Sequence, residues 1–159
     1  MYNSNTQMKS YNLQIPFVTT SSDKIKTLIQ LSECKREGKV VDLGSGDGRV
    51  VIALARAGFD VVGFEIRKEL VERSLQKIAA LGLDQKITIY HQNFWDANLS
   101  EFDLIYIYGM QSMLAKLEEK LETEMKVGAK FISNIFPLPR WKPQKVKDNF
   151  YVYTKKNKI

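Results

Sequence analysis

The chain has 159 residues, 44% of them hydrophobic and 26% charged, which is enough for one domain with a sizeable core and ordinary for a soluble globular protein. A single cysteine, Cys34, and a single histidine, His91, exclude an internal disulfide and a Cys/His metal cluster. No apolar run approaches the roughly 18 residues of a membrane helix. Residues 1–14 lack the apolar core of a signal peptide, so a cytoplasmic, monomeric protein with no membrane contact is expected. The formal charge of +6 resides in residues 140–159, where Arg140, Lys142, Lys145, Lys147, Lys155, Lys156 and Lys158 face one acid, Asp148. Such a tail suits nucleic acid or an acidic protein surface, or simply a solvated edge.

Residues 1–14 carry little apolar content to anchor them and are expected to be mobile. Ile15-Pro16-Phe17-Val18-Thr19-Thr20 reads as an extended, docked segment. Ser21 or Ser22 then offers a helix N-cap, Ile25, Leu28, Ile29 and Ser32 share one face, and Gly38 closes the helix.

The stretch Val40-Val41-Asp42-Leu43-Gly44-Ser45-Gly46-Asp47-Gly48-Arg49 is a buried strand, a glycine turn and a helix N-terminus, the start of a βαβ unit. Its strand covers 39–43 and its helix 48–56. A dinucleotide fold wants a third small residue where Arg49 stands, which disfavours a nicotinamide-dependent reductase. Asp42, at the strand end, is ill-suited to a pyrophosphate and suits a ligand with a cation. The pattern D-x-G-x-G-x-G resembles the first motif of class I methyltransferases, whose methyl donor is S-adenosylmethionine. That resemblance implies that Asp42, Gly44, Ser45 and Gly46 bind this cofactor.

The next strand, 60–65, buries Val61, Val62 and Phe64 and ends in Glu65, which falls where a doubly wound fold sets a carboxylate on a ribose. Ile66 follows it in the cofactor set. A helix over 68–80 uses Leu70 or Val71, Ser74 or Leu75, and Ile78 as its buried face, with Gly82 beyond it. The strand 86–91 offers Ile87, Ile89 and Tyr90 for burial. It leads to Asn93, placed to hydrogen-bond an adenine amino group, and to Phe94, placed to pack on the ring; Phe94 and Trp95 also fit as core aromatics.

In the strand 103–108, Tyr106 and Tyr108 share one face and Ile105 and Ile107 the other. An amphipathic helix with Met113 or Leu114, Leu117, Leu121 and Met125 precedes a strand over 130–135. Phe136-Pro137-Leu138-Pro139-Arg140-Trp141-Lys142-Pro143 is a stiff crossover, and 144–147 with 150–155 form a closing hairpin around Asp148-Asn149. The fold expected is α/β: a single doubly wound, Rossmann-like domain over residues 1–159, with a seven-stranded, mostly parallel sheet ending in an antiparallel hairpin. Residues 15–37 make its N-terminal covering segment and helix, and 38–159 the core.

Together, Pro16-Phe17-Val18-Thr19-Thr20, the glycine motif and the Phe-Pro-Leu-Pro-Arg-Trp-Lys-Pro run resemble the small protein-lysine methyltransferases of archaea and their mitochondrial relatives that methylate a lysine of the ATP synthase c subunit. The resemblance covers about residues 15–153. It implies that Phe17, Val18, Thr19 and Thr20 help cover the cofactor, and that the partner is a protein substrate presenting a lysine. That family often has proline where Thr19 stands, and its mitochondrial members carry an N-terminal targeting and anchoring segment, so a soluble prokaryotic enzyme is expected.

A neutral lysine amine displacing a sulfonium methyl needs positioning more than acid–base work. Tyr108, ending its strand, is the candidate to line the methyl site, through its hydroxyl towards the amine and its ring face towards a cation. The alternative is that Tyr106 and Tyr108 pack beneath the following helix. Phe136 and Trp141 either wall a lysine channel or anchor the crossover. No metal site is expected. The sequence Tyr106-Ile107-Tyr108-Gly109 is not the motif that grips a flipped adenine. Methylation of another RNA group or of a small molecule remains open, as does a non-catalytic cofactor-binding or partner-binding module.

Overall fold

The computed structural model describes residues 18–33 and 38–157, so Phe17 lies outside the described residues. Seven strands, β1 (Lys39–Leu43), β2 (Asp60–Glu65), β3 (Ile87–His91), β4 (Leu104–Ile107), β5 (Lys130–Asn134), β6 (Lys145–Lys147) and β7 (Phe150–Thr154), form one sheet in the order β3-β2-β1-β4-β5-β7-β6. The first five run parallel, and β7 returns antiparallel to both β5 and β6. The chain builds outward from β1 to β3 and then restarts beside β1 at β4. This reversal opens a crevice at the carboxyl ends of β1 and β4, where doubly wound sheets take their ligands.

Four helices, α1 (Ser22–Ser32), α2 (Arg49–Arg56), α3 (Lys68–Ala80) and α4 (Leu114–Glu124), cover the two faces. Apolar residues of β1 and β4 alternate between them, as strand geometry requires. Val40, Leu104 and Tyr106 pack with Leu28 of α1, Leu54 of α2 and Ile78 of α3. Val41, Leu43, Ile105 and Ile107 pack with Leu114, Leu117 and Leu121 of α4. Tyr106 and Tyr108 therefore do not lie beneath α4, the helix that follows them; they face the α1 side. Among the described residues no helix is long and apolar enough to cross a membrane.

Several local expectations change. The glycine turn is tighter than drawn: Gly48, with φ of 85°, caps α2 rather than opening it. A side chain there would bring its Cβ to 2.8 Å from that of Ser74, so glycine also sets how closely α2 approaches α3. Helix α1 ends at Ser32, six residues before Gly38, because Glu33 leaves the helical region with φ of 28°. On α3, Leu70, Val71, Ser74 and Ile78 are buried, whereas Leu75 faces solvent. Tyr90 is 47% exposed instead of buried, since β3 is an edge strand; it stacks on Phe64 at 5.4 Å. The closing hairpin turns on Asp148 and Asn149, with φ of 51° and 65°, the double positive-φ turn whose twist suits paired strands.

Much of the basic tail is engaged within the fold. The Glu118 carboxylate, fully buried, accepts from the backbone N–H groups of Arg140 and Trp141 and from Arg140 Nε. Arg140 also pairs with Glu122 at 3.2 Å, Lys145 with Glu33 at 3.7 Å, and Lys147 Nζ donates to Gln30. Trp141 donates from its indole to Glu122 and packs against Tyr153. It thus anchors the crossover.

Candidate active site

A cleft of about 720 Å³ opens at the carboxyl ends of β1, β2, β4 and β5, the size of a small-molecule site. Val18, Thr19, Thr20, Asp42, Gly44, Ser45, Gly46, Glu65, Ile66, Asn93, Phe94 and Tyr108 all line it, as does Phe136, while Trp141 does not.

The glycine turn wraps the cleft floor because all three of its glycines adopt positive φ: 92° at Gly44, 55° at Gly46 and 85° at Gly48. That curvature lets the N–H groups of Gly44 and Ser45 both donate to the carbonyl of Phe64, at 2.9 Å each, which locks the turn to the end of β2. Glu65 completes the lock. One of its carboxylate oxygens accepts from Gly46 N and the other from Arg67 N, both at 2.9 Å. Each oxygen keeps a second lone-pair direction for a ligand hydroxyl.

Asp42 is 3% exposed and sits in register between Gly63 of β2 and Tyr106 of β4. Burial, and then the nearby Glu65 carboxylate, push its carboxyl up to about 8. A buried acid beside a second acid is a place where a cation gains most. Asp47, the next acid along, is already neutralised. The Arg49 guanidinium clamps it through two hydrogen bonds, Lys77 Nζ reaches it at 3.1 Å, and its carboxyl is held well below the usual carboxylate range. The acids of the site left to meet a cationic or hydroxyl-bearing ligand are therefore Asp42 and Glu65.

Ser45 adds a second sign of an incoming ligand. Its hydroxyl is buried at the cleft floor and meets no hydrogen-bond partner among the described residues. Buried hydroxyls without a partner are rare in native folds. These groups fit S-adenosylmethionine: acids for its ammonium and ribose, and a hydroxyl for a polar atom.

At the other end of the cleft the side chain of Asn93 accepts from Trp95 N at 3.1 Å, capping a short 3-10 turn, Phe94–Asp96. Its carbonyl oxygen holds the turn with one lone pair and keeps a second, beside its amide N–H groups, for a ligand. Phe94 and Trp95 stand at the cleft edge, half-buried against the α4-side core, and Lys116 Nζ lies 4.5 Å over the Trp95 ring.

The mouth is apolar. Val18 and Met110 are 52% and 39% exposed, with Met113, Ile135 and Phe136 behind them. Tyr108 is half-buried on this side. Ile135 has φ of 77°, a strained conformation for a β-branched residue, held by its N–H donating to Asn149 O at 2.7 Å. Sequence reasoning passed over Ile135, Asn134, Met110 and Lys24. The signal available for the first three was their position at or just beyond the carboxyl ends of β4 and β5; Lys24 had none.

Comparison with known proteins agrees with this architecture. A family model described as the ANTKMT methyltransferase domain matches residues 42–145. The chain is 36% identical over 132 residues to the ATP synthase c-subunit lysine N-methyltransferase of Homo sapiens, covering 83% of this chain and 56% of that protein. It is 30% identical over 140 residues to a protein-lysine N-methyltransferase of Saccharolobus islandicus (strain REY15A), covering 86% of each. It spans little more than half the length of the mammalian relatives. Among solved structures, an RNA methyltransferase from Salinibacter ruber in complex with S-adenosyl-L-homocysteine superposes with a TM-score of 0.86 at 28% identity, covering 89% of this chain and 96% of that one. Since the matched region runs from the acid of the glycine turn through the crossover to the first residue of β6, this chain belongs to the ANTKMT methyltransferase domain family.

Proposed function

We propose that this chain transfers a methyl group from S-adenosylmethionine to the side-chain amine of a protein lysine. The observation that carries the reading is the pair of buried acids, Asp42 and Glu65, at the ends of adjacent strands around one glycine turn, in a cleft whose mouth is apolar and carries Tyr108. The relatives named as protein-lysine methyltransferases support the choice of acceptor.

S-adenosylmethionine supplies an electrophilic sulfonium methyl when bound. Asp42 is the group to take its ammonium, Glu65 its ribose hydroxyls, and Asn93 and Phe94 its adenine. Ser45 and Ile66 line the path between, and residues 18–20 cover it. The acceptor lysine must arrive neutral, about three units below its usual value of about 10.4. The apolar mouth formed by Val18, Met110 and Phe136 disfavours an ammonium and pushes in that direction. Tyr108 presents a hydroxyl that orients the amine, and a ring face that tolerates the cation formed on transfer.

The test is to incubate the full chain with methyl-labelled S-adenosylmethionine and a mixed protein extract, then identify the labelled residues by mass spectrometry. Label on lysine that disappears with Glu65→Ala supports the reading. A second reading, an RNA acceptor, is favoured by the name of the Salinibacter ruber relative. Label confined to RNA in an extract containing both would establish it and remove the lysine assignment.

A further inference from the structure

Behind the cleft runs a chain of polar side chains of which the transfer reaction above uses only Thr20. Lys24 Nζ, on α1, donates to Asn134 Oδ1 at 3.0 Å. Asn134 Nδ2 lies 3.3 Å from the Tyr106 hydroxyl, and that hydroxyl lies 3.4 Å from Thr20 Oγ1. Asn134 and Tyr106 are 0% and 1% exposed, and Thr20 is buried at the cleft wall.

The direction of the first two bonds follows from the ammonium. An ammonium has donors only, so Asn134 must turn its carbonyl oxygen to Lys24 and its amino group to Tyr106. The Tyr106 oxygen then accepts from Asn134, and its hydroxyl shares a hydrogen bond with that of Thr20 in which either can donate. One cation at the edge of the fold thus orders residues from α1, β5, β4 and the segment before α1.

Packing does not account for this hydroxyl. A phenylalanine would fill the same ring position against Phe150, whose centroid is 6.4 Å away, without burying a polar group. A buried hydroxyl is tolerated only where its hydrogen bonds are made. Tyr106 makes them to Asn134 on one side and to Thr20 on the other, and Thr20 belongs to the segment that lines the cleft. Neighbouring geometry holds the arrangement: the strained turn at Ile135 follows Asn134 directly, and the Lys24 ammonium lies 5.5 Å over the Phe150 ring.

We propose that Tyr106 is a positioning residue: through its hydrogen bond to Thr20, and with its polarity set by Lys24 and Asn134, it fixes residues 18–20 against the cleft so that the cofactor is held from both sides. The inference rests on the cleft being the S-adenosylmethionine site.

The experiment is calorimetric binding of S-adenosylhomocysteine, which needs no acceptor, to the full chain and to Tyr106→Phe, Thr20→Val, the double variant and Lys24→Met. Tyr106→Phe and Thr20→Val are each expected to raise Kd about three- to tenfold, the weight of one neutral hydrogen bond. The double variant should bind no more weakly than the worse single one, because both remove the same contact. Lys24→Met should shift Kd in the same direction by a smaller factor, and it carries the test with Thr20→Val if Tyr106→Phe does not fold. A merely structural tyrosine would lower Tm and leave Kd unchanged; that result, or additive single effects, overturns the proposal while the cofactor reading stands. Failure of the unaltered chain to bind S-adenosylhomocysteine would overturn both.

Discussion

At pH 7 a carboxyl pushed up to about 8 is mostly protonated, yet an ammonium ligand needs it ionised. On the proposed assignment Asp42 gives up its proton as the cofactor binds. Calorimetric titration of S-adenosylhomocysteine at pH 7 in two buffers of different ionisation enthalpy should reveal release of nearly one proton; identical heats in both buffers would refute the assignment. Asp42→Asn removes the charge partner, and binding should weaken about 10- to 100-fold, the range of a hydrogen bond to a charged group. Glu65 has a double task, since the oxygens offered to a ribose also tie down Gly46 and Arg67. Its spacing from the glycine turn was legible in the sequence. Its grip on the turn was not, because backbone donors leave no mark in side-chain identity.

Gly48 and Glu118 show what individual elements need in order to seat against their neighbours. Gly48→Ala would place a Cβ in a left-handed position and 2.8 Å from Ser74, which should cost about 1–3 kcal/mol by overpacking alone and be read as a lower Tm. Glu118→Ala strips acceptors from the backbone N–H groups of Arg140 and Trp141, and we expect Tm to fall by roughly 5–10 °C. Unchanged thermal melting would mean that the crossover is held by Trp141 and Leu138 packing instead. Strands 39–43 and 60–65 and the helix 68–80 could be read from periodicity because both their burial and their ends are local matters. The partner of each crossover residue could not. Trp141 had equal claims as channel wall and as anchor until α4 was seen to carry Glu118 and Glu122 beneath it.

For the whole molecule, Asp42 and Asp47 pull the pH dependence of stability in opposite directions. Asp47 has its carboxyl held low, so its contribution is present above the ordinary value of 3.8 and is lost as pH falls below it. Asp42 has its carboxyl raised, so the folded state holds an extra proton between 3.8 and about 8, and stability falls as pH rises through that window. Without ligand, Tm should be highest in mild acid and decline from about pH 5 to pH 8; Asp42→Asn should flatten the decline, and saturating S-adenosylhomocysteine should reduce it. A Tm that rises over the same range would contradict the burial of Asp42. By itself the sequence determined the strand–turn–helix order, the doubly wound class and the residues that meet at the strand ends, because hydrophobic period and glycine spacing act over a few positions. Only the tertiary structure decided that Tyr90 stays exposed, that Trp141 is an anchor, and that Lys24, 110 residues from Asn134, donates to it behind the cleft. Those outcomes depend on which strand lies at the edge and which helix covers which face, and chain topology, not local pattern, sets both.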